Sequence, residues 1–193
     1  MIVVDARGDV CPVPVIKTKK ALEEASERER VEVLVDNDIA FQNVQKYGNE
    51  VGNILSAEKK SEQEYHIVIE GKEKEDELKK QETNCIYVIR SNAMGVGDEA
   101  LGKTLLKGFF YALTQVEGLP KKILFYNSGA YLTTSESESL EDIKYLESQG
   151  VEILTCGTCL DFYGLKDKLE VGNVTNMYAI VEAMNQADKI VTP

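Results

Sequence analysis

Twelve consecutive residues, Gly71-Lys72-Glu73-Lys74-Glu75-Asp76-Glu77-Leu78-Lys79-Lys80-Gln81-Glu82, contain a single large apolar side chain. Such a segment has no apolar face to bury, so one continuous core cannot run through it. The chain is therefore expected to fold around two cores. The segment between them reads as a solvated linker or an exposed helical connector. This divides the chain into residues 1–71, a charged linker at 72–83, and residues 84–193. A length of 193 residues leaves room for both.

Composition narrows the setting. Apolar content of 43% and charged content of 28% are those of a folded, soluble chain. No apolar run approaches the roughly 20 residues needed to span a bilayer. Met1-Ile2-Val3-Val4-Asp5 has no basic stretch followed by a long apolar one, so no secretory signal is expected and the cytoplasm is the expected location. A net charge of −11, from 22 Lys+Arg against 33 Asp+Glu, is spread over both halves without a basic island. Nucleic-acid binding, which needs clustered Lys and Arg, is thereby disfavoured. Four cysteines in a reducing compartment are not a disulfide framework and are read one by one.

The first half reads βαβαββ. Ile2–Asp5 is a short strand, and Pro12 and Pro14 open a helix with Val15, Thr18, Leu22 and Ala25 on one face. Val31–Val35 is a second strand, and Asp38 caps a helix carrying Ile39, Phe41 and Val44 and ending at Gly48. Weaker strands follow near 53–58 and 64–70. The expected result is a two-layer sandwich, near the lower size limit for a self-sufficient core.

The second half alternates strands and helices. Its strands are Cys85–Ile89, Ile123–Tyr126, Val151–Leu154 and Lys189–Val191. The helices run from Asp98 to about Val116, with Leu101, Leu105, Phe109, Leu113 and Val116 on one side, then over 139–148 and 174–186. This order predicts a parallel sheet covered on both faces, a three-layer α/β domain. Ligand sites in such sheets lie beyond the carboxyl ends of the strands. The loops there are Ser91–Gly97, Asn127-Ser128-Gly129 and Thr155–Cys159.

Two places carry sulfur chemistry. Cys11 precedes Pro12, which suits the first helical position because its missing N–H has no helical partner. Cys11 is then the expected N-cap, its sulfur facing the positive end of the helix, where a thiolate is favoured. Pro14 removes a further first-turn donor, which leaves the Val13 N–H nearest the sulfur, and Lys17 is placed to add charge support. The bland alternative is a cysteine that merely fills a turn. Cys156-Gly157-Thr158-Cys159 follows a buried strand, and a Cys-x-x-Cys there reads as a redox or sulfur-handling pair. Gly157 and Thr158 are expected to leave both sulfurs accessible, with a helix starting near Cys159. Zinc would need a second pair of ligands, and Cys85, Cys11 and His66 do not form one. No metal and no cofactor are expected.

Other features have blander readings. Cys85 is expected in the core and His66 on a strand surface. Asn127 and Ser128 are candidate pocket residues, and Asn176 is expected to start the last helix. Gly97-Asp98-Glu99-Ala100-Leu101-Gly102-Lys103-Thr104 fits the phosphate-loop pattern. The stretch between its glycines reads as helix, Asp98 and Glu99 oppose phosphate charge, and the next strand offers no Asp for magnesium.

Asp5-Ala6-Arg7-Gly8-Asp9-Val10-Cys11-Pro12-Val13-Pro14 resembles the signature of the TusA/SirA-like sulfur carriers, with Gly48-Asn49 standing where that family often has Gly-His. The resemblance implies that Cys11 accepts a persulfide sulfur and passes it on. Residues 84–193 resemble a DsrE/DsrF-like domain, a family associated with sulfur transfer. Met94-Gly95-Val96-Gly97-Asp98, Asn127-Ser128-Gly129, Cys156-Gly157-Thr158-Cys159 and Val171-Gly172-Asn173-Val174-Thr175-Asn176-Met177 together are similar to the YedF proteins, which join the two domain types and are associated with selenium metabolism. The implied function is a sulfur or selenium relay, a sulfurtransferase-type carrier served by donor and acceptor proteins such as a cysteine desulfurase. Self-association through the second domain is also implied. The alternatives are a non-enzymatic redox or selenium sensor or adaptor, and a thiol–disulfide oxidoreductase using Cys156 and Cys159.

Overall fold

The computed structural model describes residues 1–26, 28–71 and 83–193. It divides into two compact units, Met1–Lys79 and Lys80–Pro193. The linker expected at 72–83 lies, apart from Thr83, outside the described residues.

The first unit runs β1 (Ile2–Asp5), α1 (Val13–Glu24), β2 (Arg30–Val35), α2 (Asp38–Val51), β3 (Gly52–Ser61) and β4 (Glu64–Gly71), the expected βαβαββ order. The sheet order is β1-β2-β4-β3, with β1 parallel to β2 and the other pairs antiparallel. The register pairs Val31 with Ile69, Val33 with Ile67 and Val35 with Tyr65. Alternate residues along each strand thus share one face. That face buries Val4, Val31, Val33, Val35, Ile67 and Ile69 against Ala21 of α1 and Ala40 and Val44 of α2.

Both helices pack against the sheet with faces that overlap the expected ones, Thr18 and Val44 being buried as expected, but are centred on smaller neighbours. Helix α1 buries Pro14, Ile16, Thr18 and Ala21, while Val15, Leu22 and Ala25 flank the core. Helix α2 is capped by Asn37, whose Oδ1 accepts from the Ala40 N–H at 2.9 Å, and Asp38 is its first residue. The helix runs past Gly48 to Val51 and buries Ala40, Val44 and Gly48. Ile39 is 69% exposed. Small residues set this face because the sheet approaches closely: a Cβ on Gly48 would stand 2.9 Å from Ile69 Cδ1.

The second unit runs β5 (Cys85–Ile89), α3 (Glu99–Leu113), β6 (Lys122–Phe125), a 3-10 helix (Asn127–Thr133), α4 (Leu140–Ser148), β7 (Glu152–Cys156), α5 (Gly157–Phe162), β8 (Asn173–Thr175), α6 (Met177–Gln186) and β9 (Lys189–Val191). Its sheet, β8-β7-β6-β5-β9, is parallel throughout. One face carries Ile89, Ile123, Phe125 and Ile153 against Leu106, Phe110 and Leu113 of α3 and Ile143 and Leu146 of α4. The other carries Ile86, Val88, Leu124 and Cys156 against Ile180 and Ala183 of α6. This is the expected three-layer arrangement.

Two elements correct the reading. Helix α3 starts after Asp98, whose Oδ1 accepts from the Leu101 N–H at 2.8 Å, and it buries Gly102, Leu106, Phe110 and Leu113. Leu113 is buried as expected, but Leu101 and Leu105 are exposed and Val116 lies beyond the helix end, so over its first turns the buried face stands one residue on from the expected one. The second is β8, an edge strand where helix was expected to begin. Asn176 does cap α6, its Oδ1 accepting from the Ala179 N–H at 3.1 Å.

Candidate functional site: an exposed thiol in one unit and a cysteine pair in the other

In the first unit, the loop from Ala6 to Pro12 is held at several points. The Asp5 carboxylate accepts from the Arg7 guanidinium at 2.6 and 2.9 Å and from the Arg7 main-chain N–H at 3.1 Å. Those Arg7 bonds, side chain first, bring the Asp5 carboxyl down to about 2. Gly8 has φ +79°, a conformation that glycine adopts without the Cβ clash, and its N–H donates to Asp36 Oδ2 at 2.6 Å. Asp9 Oδ2 is closed off from solvent and makes no well-directed hydrogen bond. The Lys17 ammonium, 2.5 Å away, balances its charge. Lys17 also donates to the Asp5 carbonyl at 3.2 Å.

Cys11 is exposed at the end of this loop. The N-cap of α1 is Pro12, reached through a cis Cys11–Pro12 peptide, so Cys11 stands one residue outside the expected cap position. The Val13 N–H, expected nearest the sulfur, donates instead to the Val10 carbonyl at 2.9 Å. Lys17 is turned to Asp9 and Asp5. The donor on the sulfur is Asn43 Nδ2 of α2, at 3.9 Å. Asn43 was not a sequence candidate, because 32 residues separate it from the cysteine.

Beside the thiol lies a cavity of about 230 Å³. Val10, Pro12, Pro14, Val15, Ile39 and Ala40 supply its apolar wall, and Asp9, Asn37 and Asn43 add polar groups. The exposure of Ile39 therefore has a place in the architecture: it forms part of the wall next to the sulfur.

In the second unit, β6 and β7 run parallel and deliver Asn127 and Cys156 to the same end of the sheet. Cys156 is the N-cap residue of α5, and Cys159 lies within its first turn. The helix thus starts two residues earlier than expected. Cys156 is 2% exposed, against the expectation that both sulfurs would be open. Its side chain lies on the sheet face that packs against Ile180 and Ala183 of α6, in one cluster with Val88 and Leu124, and that layer buries it. Cys159 is partly exposed and packs beside Leu160, Tyr131 and Tyr163.

The Cys159 sulfur accepts the Asn127 main-chain N–H at 3.0 Å. Burial raises the Cys159 thiol above its ordinary value, and its hydrogen bond with Cys156 raises it further. The Asn127 N–H acts in the opposite direction. The Asn127 side chain accepts from the Tyr163 hydroxyl at 2.8 Å. Ser128 Oγ accepts from the Asn92 N–H at 3.4 Å and ties two loops together. Gly157 leaves room for β8, since a Cβ there would lie 2.9 Å from Val174 Cγ1, and Thr158 is exposed.

Tyr163 was not a sequence candidate. Its spacing of four from Cys159 was the available signal, since residues so spaced share a helix face. Cys85 is partly exposed at the start of β5, not in the core, and this is the amino end of its strand, whereas the cysteine pair sits at a carboxyl end. His66 sits on β4 between Glu32 and Glu64. Among the described residues, no group of three or more His, Cys, Asp or Glu could hold a metal ion, and no helix is long and apolar enough to cross a membrane.

Comparison with known proteins separates along the same lines. Residues 2–71 match the family model of sulfurtransferase TusA, and residues 110–193 match that of the DsrE/DsrF-like family. A Methanocaldococcus jannaschii protein named "Putative sulfur carrier protein" is 43% identical over 65 residues, which are 34% of this chain and 87% of that protein. An Archaeoglobus fulgidus protein of the same name is 39% identical over 71 residues, 36% of this chain and 81% of its own length. Each relative spans about a third of this chain. Among solved structures, a SirA-like protein from Desulfitobacterium hafniense is 43% identical, with a TM-score of 0.35, and covers 38% of this chain and 100% of its own. A Methanobacterium thermoautotrophicum protein of unknown function is 21% identical, with a TM-score of 0.43, and covers 56% of this chain and 97% of its own.

Proposed function

We propose, from the premise that this chain belongs to the TusA sulfurtransferase family through its first unit and carries a DsrE/DsrF-like second unit, that it is a relay which holds sulfane sulfur as a persulfide on Cys11 and passes it to the Cys156/Cys159 pair. The observation that carries this reading is an exposed thiol on a pinned loop, beside a cavity with a largely apolar wall. Sulfur exchange needs a thiolate with open access to the sulfur it attacks.

Loading transfers one atom without net oxidation. The Cys11 thiolate attacks the terminal sulfur of a donor persulfide, R–S–SH. A bond forms between Cys11 Sγ and that sulfur while the donor S–S bond breaks. The donor leaves as a thiolate that takes up the proton, and Cys11–S–S⁻ remains. Delivery to the second unit repeats the exchange with Cys11 as donor. A persulfide on one member of the pair is resolved when the other attacks the sulfur that bears it, forming the Cys156–Cys159 disulfide and releasing hydrosulfide. A dithiol reductant returns the pair to thiols. A cysteine desulfurase is the donor class proposed, and a selenosulfide would follow the same steps.

A second reading is favoured by the placement of both cysteines at the start of α5, Cys156 as its N-cap and Cys159 in its first turn. The pair would then act as a thiol–disulfide couple independent of Cys11. Intact mass after incubating the reduced chain with a cysteine desulfurase and cysteine separates the readings. The relay predicts a gain of one sulfur atom that C11S abolishes. A chain that never gains sulfur, yet has a reduction potential unaffected by C11S, is an oxidoreductase. One with neither property is left with the sensor or adaptor role.

A further inference from the structure

Asn127 and Arg28 are the non-glycine residues of positive φ among those described, and Asn127 has φ +52°. That conformation is disfavoured for side chains with a Cβ and best tolerated by Asn and Asp, so something has to keep the residue there. Two contacts do so. The Asn127 N–H donates to Cys159 Sγ at 3.0 Å, and its Oδ1 accepts from the Tyr163 hydroxyl at 2.8 Å.

Tyr163 is well placed to connect the two sides. It follows directly on α5, where its own N–H donates to the Cys159 carbonyl at 3.0 Å. Its ring lies 4.9 Å from that of Tyr131, which belongs to the 3-10 helix that Asn127 begins. The ring packing would serve a phenylalanine equally well. Among the described residues, the bond the hydroxyl adds is the one to Asn127.

We infer that Asn127 and Tyr163 are positioning residues of the cysteine pair: the Asn127 N–H holds the Cys159 sulfur, and the Tyr163 hydroxyl holds Asn127. A charged sulfur accepts an N–H bond more strongly than a neutral thiol does. The contact therefore tightens as Cys159 ionises or bears a negatively charged sulfane sulfur. In a site where burial works against the thiolate, this N–H is the group that works for it. The inference rests on reading Cys156 and Cys159 as a working pair and adds what keeps one of them ready.

The test is the pH dependence of Cys159 alkylation in the full chain carrying Cys156→Ser, with iodoacetamide as the probe and peptide mass mapping to locate the label. Tyr163→Phe keeps the ring and should move the midpoint up by about half a pH unit. Asn127→Gly keeps the main-chain N–H and a backbone free to adopt positive φ, but removes the acceptor for Tyr163. In that background Tyr163→Phe should add no shift. An unchanged midpoint in Tyr163→Phe overturns the inference. So does a shift of equal size with and without the Asn127 side chain, since Tyr163 would then act by another route. No sulfur donor is present in this experiment. Its outcome is thus independent of whether the chain takes up sulfur from a desulfurase, which decides the relay itself.

Discussion

At the residue scale, among the described residues, the two sulfur sites each have one nitrogen donor on the sulfur, of different kinds. Cys11 has the Asn43 side-chain amide at 3.9 Å, and Cys159 has the Asn127 main-chain N–H at 3.0 Å. A side-chain amide can swing away without unfolding anything, which suits a thiol that must be approached by another protein. A main-chain donor is fixed by the fold, which suits a sulfur that stays in place. His66 allows a direct test of local electrostatics because it is the single histidine. It lies 3.2 Å from Glu64 and 3.0 Å from Glu32, and the bonds to Glu64 and Glu32 raise its pKa above 6.5. The charged form is therefore favoured more in the folded chain than in the unfolded one. Its contribution to stability is complete below the unfolded value, about 6.5, and is lost as pH rises through the folded value. A proton NMR titration of the imidazole should give a midpoint above 6.5 that falls toward it in a Glu32→Gln, Glu64→Gln double variant. A wild-type midpoint at or below 6.5 would contradict the pairing.

At the scale of elements, strands were legible and helix faces less so. Strand β5 follows the sequence reading to the residue because a run of apolar residues buried on both sides leaves little choice. Helix α3 has Leu101, Leu105 and Phe109 beside Leu106 and Phe110, so two adjacent stripes satisfy the same period. What selects between them is Gly102. A Cβ at that position would stand 2.9 Å from Ala93 Cβ, so the helix packs there only where no side chain intervenes. Gly48 plays the same part in α2 against Ile69. A reading that weights large apolar residues misses faces chosen by small ones. It also misses β8, which has three residues and exposes its one large apolar side chain. The phase of α3 can be checked by stability. Leu106, 2% exposed, should cost about 2–5 kcal/mol when changed to Ala, whereas Leu105, 48% exposed, should cost well under that. Urea unfolding of the two variants reads the difference, and equal losses would mean the helix buries the other stripe.

At the scale of the whole molecule, the charged segment read first in the sequence remains the informative feature, since it joins a sulfur-carrier unit to a second unit with its own cysteines. Residues 72–83 could span at most about 43 Å if fully extended. Under the proposed relay, a short linker would bring the two sites together at an effective concentration on the order of mM. At micromolar chain concentration, transfer within a chain should outpace transfer between chains by about a thousandfold. The relay therefore predicts a dependence on dilution. In the wild-type chain, once Cys11 has been loaded and the donor removed, the rate at which sulfur reaches the cysteine pair should not change on dilution. A mixture of C11S chains with loaded C156S/C159S chains should also deliver sulfur to the intact pair, at a rate that falls in proportion to concentration. Trapping the persulfides by alkylation and mapping them by mass measures both rates. If the wild-type rate also falls in proportion to concentration, the joined units do not serve each other. If the mixture never places sulfur on the pair, the second unit does not accept it from Cys11 at all, and the fusion has to be explained by two separate chemistries on one chain.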